Sequence, residues 1–264
     1  MKIDGCSALI TGASAGIGRE FARQLAGRAR SLVLVARRRQ RLEELRDELS
    51  NSNLKVHVRV VDLADQTQIQ QLVDSLERDK IDIDLLINNA GLGDMGAFAT
   101  IDPARADQII QVNVTALTLL TRRLLPPMIA RKRGAILNVS SSAGFLPIAE
   151  FSVYAASKAY VNSFSEGLRA ELRGTGVSVT ALCPGPVHTE FTEVAQRPGQ
   201  EPPRSGSEVV YISAEEVARA GLAAVERDRP LVIPGFVMKL GMFLVRMTPM
   251  SILRLASRFS TKRA

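Results

Sequence analysis

Thr11-Gly12-Ala13-Ser14-Ala15-Gly16-Ile17-Gly18 follows an apolar run at 6–11 and leads into a segment of helical spacing near 17–28. A short apolar run that breaks into glycines and then a helix reads as the first turn of a strand–helix–strand unit. Glycines at 12, 16 and 18 let the backbone turn tightly and come close to a ligand. The free N–H groups and positive dipole end of the following helix then favour an anion such as a pyrophosphate. The spacing is Gly-x3-Gly-x-Gly, not the Gly-x-Gly-x-x-Gly fingerprint. Taken alone, it also suits a tight turn that binds nothing.

Further apolar runs at 31–36, 56–61, 85–88, 135–140, 177–183 and 231–233 read as strands. Several are near-continuous Val, Leu and Ile, as expected for strands covered on both faces. They alternate with helical patterns near 38–50, 65–79, 103–132, 152–173 and 214–227. This alternation predicts an α/β fold: a doubly wound parallel sheet of about seven strands, helices on both faces, joined by right-handed crossovers. No linker or repeat divides the chain, so a single domain over 1–264 is expected, with a core at 1–235 and a tail at 236–264. The stretch 196–207, QRPGQEPPRSGS, has no hydrophobic period and reads as a loop placed where a lid would lie.

Apolar residues make up 46% of the chain and charged ones 23%, which excludes disordered and fibrous classes. Cys6 and Cys183 sit in buried-strand patterns and read as core thiols, and His57 and His188 stand apart, so no metal site is expected. The net charge of +7 raises the question of nucleic acid, but the basic clusters lie on separate elements without aromatic interleaving, so no nucleic-acid partner is expected. The chain enters a strand almost at once and has no apolar run of eighteen residues, so the cytoplasm is the expected compartment.

The second strand decides which dinucleotide the cradle suits. An NAD site places an acid near the end of that strand to hold the ribose hydroxyls. Here Ala36 is followed by Arg37, Arg38 and Arg39. Cations in a helix's first turn oppose its dipole, so a triple arginine there needs another reason. A guanidinium suits a 2′-phosphate, and NADP(H) is the expected cofactor.

Three segments follow later strands: Asn88-Asn89-Ala90-Gly91, Ser140-Ser141-Ser142-Ala143-Gly144 and Tyr154-Ala155-Ala156-Ser157-Lys158. Tyr154 and Lys158 are four apart and share a helix face. A lone pair at that spacing is usually a surface contact. With the glycine cradle and the serine cluster in this order, the chain resembles the short-chain dehydrogenase/reductase family over about residues 5–234, on motifs that include Pro184-Gly185.

That resemblance implies a Rossmann-type domain and a catalytic set of Asn113, Ser141, Tyr154 and Lys158, with Ser140 and Ser142 flanking the serine. It implies cofactor contacts at Gly12, Ser14, Gly16, Ile17, Gly18, Asn89, Ala90, Gly91, Pro184, Gly185, Val187 and Thr189. Asp62 would hold the adenine amine; its bland reading is a helix cap. Ala15 stands where NADP-preferring members often carry a basic residue, which leaves the 2′-phosphate to Arg37, with Arg38 and the Ser14 hydroxyl. The implied activity interconverts a carbonyl and an alcohol. Tyr154 would be the acid/base, Lys158 would lower its pKa, Ser141 would hydrogen-bond the reacting oxygen and Asn113 would fix a proton-relay water. A homodimer or homotetramer is implied through the helices near 103–132 and 152–173.

Substrate walls are expected from Gly93, Met95, Phe98, Phe145, Leu146, Ile148, Phe151, Val187 and Phe191, which suits a hydrophobic ketone or aldehyde. In the tail, Leu240, Phe243, Leu244, Met247, Leu255 and Phe259 alternate with Lys and Arg over 239–247 and 250–259. Such a basic amphipathic segment can cover the pocket, meet another subunit or make peripheral contact with a membrane. Two other readings stand beside a soluble reductase: a non-catalytic NADP(H) sensor on the same fold, which would not need Ser141, Tyr154 and Lys158, and a membrane-surface lipid ketone reductase.

Overall fold

Strand β1 (Ser7–Thr11) is buried along its whole length, and so is β2 (Ser31–Ala36). Alternate residues serve opposite faces. Ala8, Ile10, Leu32 and Leu34 enter one apolar cluster, while Leu9, Val33 and Val35 enter the other. Both faces of the sheet must therefore be covered, and the connections supply the covers. In the computed structural model, which describes residues 1–50, 54–197, 199, 210–249, 251–252 and 254, helices α1 (Gly16–Ala26) and α2 (Arg39–Leu49) pack on the first face. After β3 (Lys55–Val60), α3 (Gln66–Arg78) packs on the second.

The chain continues through β4 (Leu85–Asn88), α4 (Pro103–Ile110), α5 (Leu117–Ala130), β5 (Gly134–Val139), α6 (Ser152–Glu171), β6 (Val177–Leu182), a short α7 (Phe191–Ala195), α8 (Ala214–Glu226) and β7 (Leu231–Val232). It then enters α9 (Phe236–Met247). The sheet order is β3-β2-β1-β4-β5-β6-β7, and every pairing is parallel. Strand order reverses between β1 and β4, where open α/β sheets bind ligands beyond the strands' carboxyl ends.

Strand ends fall within a residue or so of the sequence reading. One segment departs from it. The helical stretch expected as continuous over 103–132 is interrupted at Gln111–Ala116 by a wider π-type turn that contains Asn113. Apolar spacing gives no sign of it, because Ile109, Val112, Ala116, Leu120 and Leu124 keep helical intervals while facing the sheet. Such turns occur often at functional sites. Part of the 196–207 loop and most of the second tail segment, 250–259, lie outside the described residues.

Candidate active site

The cradle forms because Gly12 and Gly16 adopt the left-handed region, at φ +66° and +51°. Gly18 has a different reason. A Cβ there would sit 2.3 Å from the Gly12 carbonyl oxygen and 2.5 Å from Asn89 Nδ2. Thr11 ties the cradle to the end of β4: its hydroxyl accepts from the Asn89 and Ala90 amides at 2.9 and 3.0 Å. Asn89 Nδ2 donates to the Thr11 carbonyl at 2.8 Å. No side chain caps α1, and its first turn holds no acid. Its leading N–H groups are left for an anion, so the cradle fits a pyrophosphate.

One cavity of about 710 Å³ runs from this cradle across the strand ends. Of the expected site residues, all but Gly18 and Asn113 line it. Gly18 packs beneath the cradle instead. Asn113 sits behind the wall: its Oδ1 accepts from the Leu92 amide at 2.8 Å, and its Nδ2 donates to the Leu92 carbonyl and to Ser157 Oγ, both at 2.9 Å. Both amide hydrogens are thus committed to the protein, and Oδ1 keeps one acceptor direction. Asp62 receives the Ala64 amide at 3.0 Å, whereas the cap of α3 is Asp65.

At the expected phosphate end, Arg38 donates to Ser14 Oγ at 3.2 and 3.3 Å. Arg37 is exposed, and Arg39 pairs with Glu43 on the surface of α2. Sequence reasoning missed Glu190. Its carboxylate accepts from Arg38 at 2.9 Å and from Arg41 at 2.5 Å, and these two cations hold it below the usual carboxylate range. The only sequence signal was an acid directly after Thr189, some 150 positions from its partners.

Tyr154 lies in the first turn of α6 and Lys158 one turn later. The three serines divide their work. Ser140 Oγ donates to the Lys158 carbonyl at 2.9 Å and so docks α6 on β5. Ser141 lines the cavity with Tyr154 and accepts the Ala143 amide at 3.1 Å. Ser142 lines the cavity. The Tyr154 ring stacks on Phe151 at 4.3 Å and meets Phe191 at 5.2 Å. Gly93 makes room, since a Cβ there would sit 2.8 Å from the Phe191 ring.

Lys158 is 4% exposed; its Nζ donates to the Val139 carbonyl at 2.9 Å and lies 5.6 Å from the Tyr154 ring centre. Burial pulls its pKa down to about 8. Burial pushes Tyr154 up to about 12, and the nearby Ser141 hydroxyl opposes that rise. The expectation that Lys158 depresses the tyrosine is therefore not met in this structure. Desolvation of the phenol outweighs its neighbours, and the ammonium is turned toward a carbonyl.

The substrate walls are largely as expected: Met95, Leu146, Ile148, Phe151 and Phe191 line the cavity. Phe98 and Phe145 do not. Phe98 is 65% exposed, and Phe145 lies under Arg246 of α9, 5.6 Å from its guanidinium. Met238 and Met242 of α9 take up the vacated wall.

The chain matches the short chain dehydrogenase family over residues 7–199. Sulfoacetaldehyde reductase 2 of Chromohalobacter salexigens is 40% identical over 217 residues, 80% of this chain and 84% of that protein. The NADP-dependent 3-hydroxy acid dehydrogenase YdfG of Escherichia coli K12 is 37% identical over 193 residues, covering 70% and 75%. A short-chain dehydrogenase from Sphingobium yanoikuyae, solved in complex with NADPH, superposes with a TM-score of 0.81 at 30% identity, over 98% of this chain and 96% of that one. The chain belongs to the short chain dehydrogenase family of oxidoreductases.

Proposed function

We propose that this protein uses NADP(H) to interconvert a hydrophobic ketone or aldehyde and its alcohol, with Tyr154 as acid/base. The cofactor supplies the hydride to the carbonyl carbon, and the protein supplies binding, orientation and the proton. The uncapped start of α1 and the glycine cradle would hold the pyrophosphate. Ser14 and Arg38 would hold the 2′-phosphate, with Arg37 at the rim, and Asp62 would face the adenine.

Tyr154 delivers its phenolic proton to the carbonyl oxygen, and Ser141 donates a hydrogen bond where negative charge develops. Lys158, held on the Val139 carbonyl, would have to turn toward the phenolate left behind to offset its charge, and Asn113 positions the Leu92 loop against Ser157 and α6. The observation that carries the reading is that Ser141, Tyr154 and the buried Lys158 line one cavity wall, with the lysine Nζ 5.6 Å from the tyrosine ring.

The substrate class follows from the far end of the cavity. Among the described lining residues the cations are Arg37, Arg38 and Lys158, the last beside Tyr154, whereas Met95, Leu146, Phe151, Phe191, Met238 and Met242 are apolar. A sulfonate or carboxylate head group would lie there without a partner, and burying it unpaired is costly. A neutral carbonyl compound fits better than the acids named for the two relatives. The test is NADPH oxidation across aldehydes and ketones of graded chain length. Turnover rising with chain length and abolished in Tyr154→Phe is expected; Tyr154→Phe at near-normal rates would overturn the assignment.

A further inference from the structure

Helix α9 is apolar on two opposite faces. Met238 and Met242 look inward and line the cavity. Phe236, Leu240, Phe243, Leu244 and Met247 look outward, at 82, 50, 61, 57 and 71% exposure. A contiguous apolar patch of this kind marks an interaction surface.

The charge around it says what that surface meets. The whole chain has 34 Lys and Arg against 27 Asp and Glu. Residues 236–264 hold six of those cations (Lys239, Arg246, Arg254, Arg258, Lys262 and Arg263) and no acid. The preceding 235 residues therefore hold 28 cations against 27 acids, and six of the seven net positive charges belong to the segment that carries the patch.

We propose that the outer face of α9 lies on an anionic bilayer surface while its inner face walls the cavity. A bilayer offers both an apolar layer for Phe236, Leu240, Phe243, Leu244 and Met247 and anionic head groups for the flanking cations. A second copy of this chain does not match as well. A two-fold contact through α9 would set the same patch against itself, and two acid-free basic segments would repel across it. The helix lies on the membrane rather than across it. Its 12 residues reach roughly 18 Å, short of the ~30 Å hydrocarbon core, and no described helix is long and apolar enough to span.

The docking is independent of the chemistry. Its consequence, that carbonyl compounds dissolved in lipid reach the cavity past Met238 and Met242, rests on the function proposed above.

Flotation of the full chain with vesicles tests the docking. Binding to phosphatidylglycerol/phosphatidylcholine vesicles at low salt, with little binding to phosphatidylcholine alone, is expected. The double variant Phe243→Ser with Leu244→Ser should lose that binding. The triple variant Lys239→Gln, Lys262→Gln and Arg263→Gln should weaken it on the order of a hundredfold, since each cation near such a surface contributes roughly a factor of five. Both variants should keep the wild-type circular dichroism spectrum.

Three results each overturn the proposal: no flotation with anionic vesicles, equal flotation on both lipids, or full retention by the triple variant. A dimer that Phe243→Ser with Leu244→Ser dissociates in sedimentation, without vesicle binding, assigns the face to a second copy and also overturns it. Tyr154→Phe should float like wild type. An inactive wild type that still floats would sink the proposed function and leave the docking standing.

Discussion

Lys158→Met should reveal the cost of keeping an ammonium in this cavity. Burial lowers the lysine from 10.5 to about 8. Between those values the unfolded chain holds a proton that the folded chain has released. Protonation of Lys158 therefore favours unfolding at neutral pH, and the penalty fades as pH rises through this window. At about 1.4 kcal/mol per pH unit, the full shift corresponds to about 3 kcal/mol. Integrated only from pH 7.5 to 9.5, wild type should gain about 2 kcal/mol relative to Lys158→Met. Methionine fills similar space and does not titrate. The donor that it removes from the Val139 carbonyl is a constant offset, and Tyr154 is common to both proteins, so neither affects the slope. Urea unfolding followed by circular dichroism at pH 7.5, 8.5 and 9.5, at one protein concentration and without added cofactor, measures the difference. A stability difference that stays level within about 0.5 kcal/mol would show that the lysine is not desolvated, and the electrostatic account of the site would fall with it.

On the proposed placement of the 2′-phosphate, Glu190 would compete with it for Arg38. Exposed ion pairs contribute about 0.2–1 kcal/mol each, so Glu190→Gln should bind NADPH about three- to tenfold more tightly and leave NADH unchanged. NADPH binding that stays the same or weakens would contradict that competition. Gly18→Ala places a methyl group against backbone and should cost about 1–3 kcal/mol in urea unfolding while weakening NADPH binding; a fully stable variant would refute the packing argument. Alcohol oxidation should rise with pH between 7 and 10, whereas carbonyl reduction should already be at its plateau at pH 7. Parallel profiles would be inconsistent with a phenol held near 12.

The sheet was legible because a strand buried on both faces must be apolar throughout, and runs such as Leu32–Val35 have no other economical reading. Tyr154 and Lys158 were legible because four residues make one helical turn. The serines were legible only through the family resemblance, which names Ser141: three in a row carry no pattern of their own, and it is the structure that commits Ser140 to the Lys158 carbonyl. The wide turn at Asn113 was invisible because helix and π-turn impose nearly the same apolar intervals over one turn. Glu190 was invisible for a different reason: its partners are distant in sequence, and a single acid in a loop reads as solvated. The direction of the Tyr154 shift was misjudged because sequence names the neighbouring ammonium but not the depth of burial. Desolvation and Coulomb attraction act with opposite sign on a phenol, so the balance depends on coordinates.

That balance also bears on the two directions of the reaction. An alcohol hydroxyl, like water, gives up its proton far less readily than a phenol. On the proposed mechanism Tyr154, kept protonated by burial, would pass its proton downhill to a nascent alkoxide. In the reverse direction Tyr154 must first ionise, which at neutral pH opposes the same burial that raised it. The group available to offset this is the ammonium of Lys158, 5.6 Å from the ring, and that charge is itself lost above about pH 8. Raising the pH to form phenolate thus removes the cation that would stabilise it. Burial leaves the acid loaded for reduction at neutral pH; oxidation must pass through the same phenolate, so the substrate and cofactor couple, not these side chains, sets the direction.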